Sequence, residues 1–370
     1  MITTQNMSRV DPCRARCVDL FRMSNRSPPA RPRRYATCTL TLLIAAFAAS
    51  SLHAQGRAAK TPELRLSTAQ APSYPLGHAG ERWAQLVNEK AGRSYEVKQY
   101  PGATLALRDP GREFGALKDG LADLAVGSAL AWSAQFAPLA VYALPWLAVE
   151  PGEQAALAAD TALRERLFAL MEGAGVVGLA IAPLGERVLA TSRAPVLSLA
   201  GCAGLRVRVM PLRPVLDVYV ALGALPQSMS FALTQAALSA GTLDGQDTMP
   251  TTLVATQAFA SGQKFVTRWG AFADVMVFAV RKASWDAWPE DRRLVVRGAA
   301  EQAAREANAL AREDAALAQL TKEGVTIVRL SPTQRAALRD AAQPAIAAWT
   351  AAVGADLVSV AKAAVAAAGK

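Results

Sequence analysis

Two arginines within a short apolar segment are the residues whose type and spacing most suggest chemistry. The segment Gly204-Leu205-Arg206-Val207-Arg208-Val209 alternates as a β-strand does, which places Arg206 and Arg208 on one face unless one lies beyond the strand end. A charge rarely enters an apolar strand without a partner. A guanidinium matches a carboxylate through two parallel hydrogen bonds and keeps its charge when desolvated. The segment therefore predicts either a carboxylate-binding site or a structural ion pair, and the residue types alone slightly favour the ion pair.

Residues for catalysis are scarce in the rest of the chain. After residue 54 the sequence has one histidine, His78, and one cysteine, Cys202, so a His/Cys metal site is nearly excluded. The sequence contains no nucleophile elbow, phosphate loop or dinucleotide fingerprint. Asp244 and Asp247 could face opposite sides of one strand, which gives paired-carboxylate catalysis weak support. We therefore expect a binding protein without metal or cofactor, with Cys202 as a small space-filling residue.

The first 54 residues carry most of the positive charge. The chain has 370 residues and a formal net charge of +10, to which eight Arg and two Asp in residues 1–54 contribute +6. The remainder has no Lys or Arg run interleaved with aromatic residues, which argues against a nucleic-acid partner. Four arginines between 26 and 34 precede the apolar run Ala36–Ala49, and small residues follow it. This order is typical of a secretory signal peptide, so we expect export to the periplasm and cleavage after Ala54.

The chain after this leader alternates strand patterns with helix patterns. Residues 55–62 are interpreted as a tether, and no later apolar stretch reaches the ~18 residues of a membrane span, so we expect a protein that is not membrane-embedded. The predicted strands are Glu63–Ala69, Ser94–Tyr100, Leu121–Gly127, Val176–Ala182, Arg187–Thr191, Leu205–Met210, Leu243–Asp247, Asp274–Arg281 and Val325–Leu330. The predicted helices are Leu76–Ala91, Arg112–Gly120, Glu153–Gly173, Arg213–Leu222, Phe231–Gly241 and Glu290–Gly324. Such repeated strand–helix units indicate open α/β sheets, in which ligands settle at strand carboxyl ends or between domains.

Seven sequence blocks, taken in order, resemble those of a known family. They are Lys118-Asp119-Gly120-Leu121-Ala122-Asp123-Leu124, Ala143-Leu144-Pro145-Trp146, Gly185-Glu186-Arg187, Gly204–Arg208, Leu222-Gly223-Ala224 with Gln227–Phe231, Gly241–Asp247, and Trp285 with Pro289-Glu290-Asp291. The family is that of the periplasmic substrate-binding proteins of tripartite ATP-independent periplasmic (TRAP) transporters, of the DctP type that binds dicarboxylates or sialic acid. Each block alone is weak, but seven in order are specific, and they extend over nearly all of the chain after the tether.

The resemblance implies a two-lobed α/β periplasmic binding protein fold with a ligand cleft between the lobes. Lobe I is expected to contain residues 63–185 and 273–313, and lobe II residues 186–272 and 314–370. The helical pattern Glu290–Gly324 would extend on the order of 50 Å, so this long helix is expected to span both lobes. The implied function is capture of a small organic acid and its delivery to TRAP membrane permease subunits, without catalysis. A carboxylate-binding subunit of an ABC importer or of a sensor system is the alternative.

The resemblance also assigns residues to the ligand site. In that family the arginine that matches Arg208 binds the ligand carboxylate, the one that matches Arg187 supports it, and the phenylalanine that matches Phe231 packs on the ligand. Gln246 and Asp247 are expected in the same site. With these blocks in order, a ligand role for Arg208 is favoured over a structural ion pair.

Departures from the family pattern narrow the expected ligand. Thr248 stands where the family often has an asparagine, Ser128 where sialic-acid binders have an acidic residue, and Tyr74-Pro75 where they have an asparagine. Hydroxyls of a sugar acid would therefore lack partners, at a cost of ~1–3 kcal/mol each. The aromatic residues Tyr74, Trp132, Phe231 and Trp269 could form an apolar wall, although core or rim packing is about as favoured for the two tryptophans. We expect a smaller or more apolar monocarboxylate than sialic acid, such as a keto, hydroxy or aromatic acid.

Overall fold

The computed structural model describes residues 61–92, 94–310 and 313–368, with the side chains of 231, 232 and 308–310 excepted. The predicted leader, its three cysteines and all but the last two residues of the predicted tether lie outside the described residues. Among the described helices, none alone is long and apolar enough to cross a membrane. One bent pair, Gln343–Val353 with Ala355–Ala368, meets the length and composition requirement only when the two are taken together.

The described strands join in one mixed sheet. The strands are β1 (Glu63–Thr68), β2 (Glu96–Tyr100), β3 (Leu124–Ser128), β4 (Val176–Thr191), β5 (Arg206–Val209), β6 (Leu225–Ser228), β7 (Gly245–Thr248), β8 (Phe265–Arg281) and β9 (Thr326–Arg329). Their order is β2-β1-β3-β8-β4-β7-β5-β6, with β9 on β8. Two groups of parallel strands, β2-β1-β3 and β7-β5-β6, therefore flank the antiparallel pair β8-β4.

Helices cover the sheet on both faces, as in the predicted α/β class, which is confirmed. The helices are α1 (Pro75–Ala91), α2 (Glu113–Lys118), α3 (Ala129–Trp132), α4 (Pro151–Ala159), α5 (Thr161–Gly173), α6 (Leu199–Cys202), α7 (Arg213–Ala221), α8 (Phe231–Ser239), α9 (Pro250–Ala255), α10 (Lys282–Ala287), α11 (Glu290–Leu310), α12 (Glu313–Lys322), α13 (Pro332–Ala341), α14 (Gln343–Val353) and α15 (Ala355–Ala368). Short 3-10 turns lie at Thr104–Ala106, Pro110–Arg112 and Ala137–Ala143.

Strands β4 and β8 are longer than the sequence pattern predicted. The two strands predicted within 176–191 are one strand, because a shift of register against β8 between Pro183 and Gly185 absorbs the apparent break. Gly185, at a φ of +120°, takes a backbone conformation that a side chain would strain. Strand β8 begins at Phe265 rather than Asp274 and passes through Gly270, whose φ of +68° again requires glycine.

The helix predicted over 153–173 corresponds to two shorter helices, and the helix predicted over 290–324 is described in two parts. In the first, Asp160 separates α4 from α5 because its carboxylate accepts a hydrogen bond from the Leu163 amide at 2.7 Å and so starts a new helix. In the second, α11 and α12 are described on either side of residues 311–312, which lie outside the described residues. Helix α11 packs on α1, where the Trp83 indole donates to the Val296 carbonyl at 3.0 Å, whereas α12 packs on α9.

Candidate functional site

A cleft of about 580 Å³ lies where the carboxyl ends of two parallel pairs of strands, β1-β2 and β5-β6, meet. Its walls come from the segments that follow β1 and β2 on one side and β5 and β6 on the other. The lining residues are Ala69, Gly102, Arg108–Gly111, Ala131, Arg208, Met210–Leu212 and Ser228–Ser230. Carboxyl ends of parallel strands are where open α/β sheets bind ligands, so the cleft is the candidate site.

Arg208, which the sequence analysis predicted to bind the ligand carboxylate, lines this cleft. It lies near the end of β5 and is only 6% exposed, and its Nε and Nη2 atoms both donate to the Met229 carbonyl at 3.2 Å. Burial and then the charge of Arg187 lower the pKa of Arg208 to about 10, against an opposing effect of Asp247. Burial therefore disfavours the charged form of this guanidinium, and a carboxylate bound beside it would favour the charged form.

The Arg187 side chain binds Asp247 and does not line the cleft. Its guanidinium makes an ion pair with the Asp247 carboxylate, and its Nη2 also donates to the Asp247 carbonyl at 3.1 Å. The Tyr219 hydroxyl of α7 donates to the other carboxylate oxygen at 2.8 Å. Burial lowers the pKa of Arg187, but the charges of Asp247 and Asp274 outweigh it and the net direction is upward. Arg187 therefore acts on Arg208 through its charge, and Asp247 is a structural partner in this state.

Gln246 lies beside Arg208 in the sheet. Strands β5 and β7 run parallel, with Arg208 opposite Gln246, so the two side chains share a face. The Gln246 side chain is 0% exposed, and neither its amide nitrogen nor its amide oxygen has a hydrogen-bond partner among the described residues. A buried side-chain amide that lacks hydrogen-bond partners lowers stability by about 1–3 kcal/mol, so the burial of Gln246 calls for an explanation.

Ser128 and Thr248 are buried at strand ends near the cleft. Ser128 caps α3 by accepting from the Ala131 amide at 2.9 Å, and its hydroxyl donates to the Asp274 carboxylate. Burial raises the pKa of Asp274, although hydrogen bonds from Ser128 and Leu130 oppose the shift. Thr248 ends β7 at 5% exposure and pairs with Val188 of β4. Neither residue is among those that line the cleft.

The two predicted tryptophans lie in the core and not on the cleft wall. Trp269 packs edge-on against Trp146 and Phe272, and its indole donates to the Arg187 carbonyl at 3.1 Å. Trp132 packs across Gly127, where a Cβ would lie 2.1 Å from the indole. The alternative of core packing therefore describes both tryptophans: Trp269 contacts β4 at Arg187, Trp132 packs on β3 at Gly127, and neither lines the cleft.

Tyr74 and Phe231 are the other two aromatic residues that were predicted to line the ligand site. Tyr74 is half-buried and stands just before α1, which begins with Pro75. Phe231 begins α8, directly after the cleft residue Ser230, but its side chain lies outside the described ones. The predicted contact of Phe231 with the ligand remains a prediction.

A buried carboxyl group behind the cleft was missed by the sequence reasoning. Glu113 of α2 is fully buried, accepts from the Ser67 hydroxyl at 2.7 Å and accepts from the Trp132 indole at 3.3 Å. Burial raises the pKa of Glu113 to about 7, against the lowering effect of these two hydrogen bonds. The sequence offered no signal for it, because an acidic residue in the first turn of a helix is ordinarily exposed.

Glu113 should make the stability of the protein depend on pH. Because its pKa is higher in the folded protein than the ordinary 4.5, the folded state holds this proton more tightly. The stabilisation is complete below the unfolded pKa and is lost as the pH rises through about 7, by at most about 3 kcal/mol. Urea unfolding of the wild type and of Glu113→Gln at about pH 5 and about pH 8 isolates this contribution. Equal pH dependence in the two proteins would contradict the assignment.

Cys202 should be unreactive in the folded protein. It ends α6 at 3% exposure, and burial raises the pKa of its thiol to about 11. Because the thiolate is the nucleophile, a disulfide reagent such as DTNB should modify the native protein slowly and the urea-unfolded protein rapidly. Fast modification without denaturant would show instead that Cys202 is accessible.

These contacts describe a cleft at strand carboxyl ends whose lining suits an organic anion. The cleft offers one buried cation, neighbouring backbone carbonyls and apolar Met210, Pro211, Leu212 and Met229 side chains. Among the described residues, no group of three His, Cys, Asp or Glu side chains could hold a metal ion.

Comparisons with known proteins identify the family. Residues 66–352 match the model of bacterial extracellular solute-binding protein family 7, DctP. The chain is 26% identical to the C4-dicarboxylate-binding periplasmic protein DctP of Rhodobacter capsulatus, over 82% of this chain and 91% of that protein. Among solved structures it resembles a TRAP periplasmic solute-binding protein of Ralstonia eutropha H16 with bound (S)-2-acetolactate, at 34% identity and a TM-score of 0.79, over 82% and 99% of the two chains. A galactonate-bound sugar acid binding protein of Advenella mimigardefordensis shares the fold at 22% identity and a TM-score of 0.74, over 84% and 99% of the chains.

This chain belongs to the DctP family of TRAP transporter periplasmic solute-binding proteins. The prediction of the family is confirmed, and so is the prediction of its two-lobed α/β fold. The protein is a solute-binding protein of a transport system and not an enzyme.

Proposed function

We propose that this protein captures a small monocarboxylate that carries a keto or hydroxyl group, and that Arg208 binds its carboxylate. The observation that carries the proposal is the position of Arg208, a cation at 6% exposure on the wall of a cleft at strand carboxyl ends. A carboxylate is the ligand group that a desolvated guanidinium binds best. The bound (S)-2-acetolactate of the relative from Ralstonia eutropha H16 supports the size and class of the ligand.

Gln246 and Thr248 complete the proposed carboxylate site. The Gln246 amide lies next to Arg208 without partners of its own, so a ligand oxygen could satisfy it in the closed protein. In this proposal the ion pair of Arg187 with Asp247 sets the charge next to Arg208 and holds the position of the Arg208 side chain. A sialic acid is disfavoured because the cleft wall is mostly apolar and a sugar chain would leave hydroxyls without partners.

Capture requires two lobes that close by a hinge in β4 and β8. We place lobe I at 63–185 with 273–313 and lobe II at 186–272 with 314–370. The boundary is supported by the pairing of Gly185 with Asp274, which falls at a shift of register. The ligand favours the closed form because only that form contacts it from both walls, and the closed form would dock on the TRAP permease subunits. We also assign residues 1–54 to a leader that directs the protein to the periplasm, with cleavage after Ala54.

A ligand screen on the protein without its leader tests the proposal. Thermal shift and calorimetry with keto, hydroxy, aromatic and dicarboxylic acids and with sialic acid should give the strongest binding for a small keto or hydroxy monocarboxylate. Tighter binding of sialic acid, or no binding by any acid, would contradict it. An adjacent gene for an ATPase instead of permease genes would favour the alternative of an ABC importer.

A further inference from the structure

The first part of strand β4 has an edge that no other described strand covers. β4 pairs with β8 from Val176 to Thr191, whereas its second neighbour, β7, pairs only with Val188–Thr191. Residues 176–187 of β4 therefore present an open edge of the sheet. In a strand about every second residue directs its amide and carbonyl groups to a given side, and such groups at an edge readily bind a further strand.

A groove of about 620 Å³ follows this open edge. Its floor is the run Leu179–Pro183 of β4. Neighbouring side chains of a strand point to opposite faces, so a groove that is lined by five consecutive residues reaches the strand from its edge. At about 3.3 Å per residue this run is about 17 Å long, which matches an extended segment of about five residues.

The groove admits a single extended chain more easily than a second folded sheet. Helices α4 and α5 line it on one side, and α11 lines it on the other. Small side chains near the strand leave room for a backbone; they are Ala155, Ala158 and Ala159 of α4 and Ala304 of α11. A second copy of this chain carries the same helices beside its own β4 edge. Those helices would meet before the two edges came within the ~4.8 Å that separates paired strands.

A side chain of the protein already binds the open edge just beyond the groove. The Glu186 amide does not donate to a strand but to the Glu313 carboxylate of α12, at 3.2 Å. This contact shows that the edge directs an amide away from β8 and toward an acceptor. It also closes the edge at that point, so the accessible part is the part that lines the groove.

The charged residues of the groove favour an acidic occupant. Three arginines and two glutamates line it, which leaves a net positive charge; they are Arg164, Arg297, Arg305, Glu165 and Glu301. Arg297 lies over the Trp285 ring at 5.1 Å. Arg164 and Arg305 form no ion pair with any residue that the structure describes, so both can pair with a carboxylate that enters the groove.

We infer that this groove binds an extended, acidic peptide segment of another protein, which adds a strand to the open edge of β4. The backbone of the segment bonds to β4, as in other complexes formed by strand addition. Its apolar side chains pack on Phe168 and Ile181, and its glutamate or aspartate side chains pair with Arg164 or Arg305. None of these residues lines the ligand cleft, and the inference does not depend on the proposed function.

Fluorescence anisotropy with synthetic peptides tests the inference. The probe is a dye-labelled octapeptide with blocked ends that alternates valine with threonine and carries glutamate in place of two threonines. We expect it to bind with a Kd of roughly 10–300 µM. Replacement of both glutamates by glutamine should weaken binding about fivefold or more. Methylation of every backbone nitrogen should weaken it at least about tenfold, because a methylated amide cannot donate to a strand.

Three variants locate the binding site. Ala155→Trp fills the groove from an exposed helical position, and Arg164→Glu reverses one of its charges. Each should weaken binding of the acidic peptide about tenfold or more. Arg166→Glu is the matched control, because Arg166 is exposed on the same helix but does not line the groove, and it should change the Kd less than about threefold. The peptide should also slow hydrogen exchange in residues 177–184 of β4 and not in the edge strands β2 and β6.

Each contrary result has a definite meaning. Equal binding of the fully methylated peptide would show capture by side chains alone and would overturn the addition of a strand. No binding of the acidic peptide, or an equal effect of Arg164→Glu and Arg166→Glu, would overturn the site. If the protein sediments as a dimer that Ala155→Trp converts to a monomer, a second copy occupies the groove and the peptide assignment is wrong. Failure of every organic acid in the ligand screen contradicts the proposed function alone.

Discussion

Arg208→Ala is expected to abolish measurable ligand capture while leaving the protein folded. The variant removes a charge-assisted, two-pronged contact and leaves the ligand carboxylate desolvated in the cleft. Loss of one partner of such a pair costs about 2–5 kcal/mol, which corresponds to a Kd weaker by roughly 30-fold to several thousandfold. Folding should not suffer, because the guanidinium is itself held at a cost that depresses its pKa. Calorimetry with the best ligand of the screen, together with circular dichroism, measures both effects.

Arg206 provides the matched control for Arg208. It begins the same strand, two residues away, but its guanidinium pairs with Asp244 at 2.8 Å and is 38% exposed. Arg206→Ala should therefore leave the ligand Kd within about threefold of the wild type, since exposed pairs contribute ~1 kcal/mol or less and this one does not line the cleft. Equal loss of binding in the two variants would indicate a general effect of positive charge and would refute the assignment of Arg208.

Asp247→Ala is expected to have the largest effect on stability. Asp247 is 0% exposed and holds the buried Arg187 guanidinium and the Tyr219 hydroxyl. Without it, the buried Arg187 guanidinium loses its ion-pair partner and keeps only the charge of Asp274, with which it forms no ion pair, and the Tyr219 hydroxyl loses its acceptor. Removal of one partner of a buried ion pair lowers the free energy of unfolding by about 3–5 kcal/mol, which urea denaturation at neutral pH can measure.

Asp217 supplies an exposed arginine–aspartate pair for comparison. Its partner Arg213 is 84% exposed, and the two lie four residues apart on α7 at 2.7 Å. Asp217→Ala should lower the free energy of unfolding by less than ~1 kcal/mol, as exposed pairs do. If Asp247→Ala costs no more than this control, then Asp247 is not the counter-charge that keeps Arg187 buried.

Local signals in the sequence were enough to predict the elements around the site. The alternating pattern over Ser94–Tyr100 predicted β2, and the apolar spacing over Leu76–Ala91 predicted α1 to within one residue. Arg208 was found because a charge in an apolar strand is unusual and because the order of the surrounding blocks is specific. These inferences needed only residues that are close in sequence.

Features that depend on distant residues could not be predicted in this way. The acceptor of Tyr219 is 28 residues away and that of Ser128 is 146 residues away, so neither network is visible in a local pattern. Arg108 was missed because its type and exposure resemble those of any surface arginine. Only the strand ends that converge around it show that it lines the cleft. Asp274 did offer a signal, since it begins the otherwise apolar segment Asp274–Val280 in the sequence.

The long strands β4 and β8 have a consequence for how the chain folds. Strand β8 pairs with β4 along nearly its whole length, with β3 at one end and with β9 at the other. A fragment that contained either proposed lobe alone would cut both strands and leave their edges without partners. The halves should therefore unfold together in a single cooperative transition. Contacts such as that between Leu124 and Val280 close very long loops, so refolding should be slow compared with that of a protein rich in local contacts.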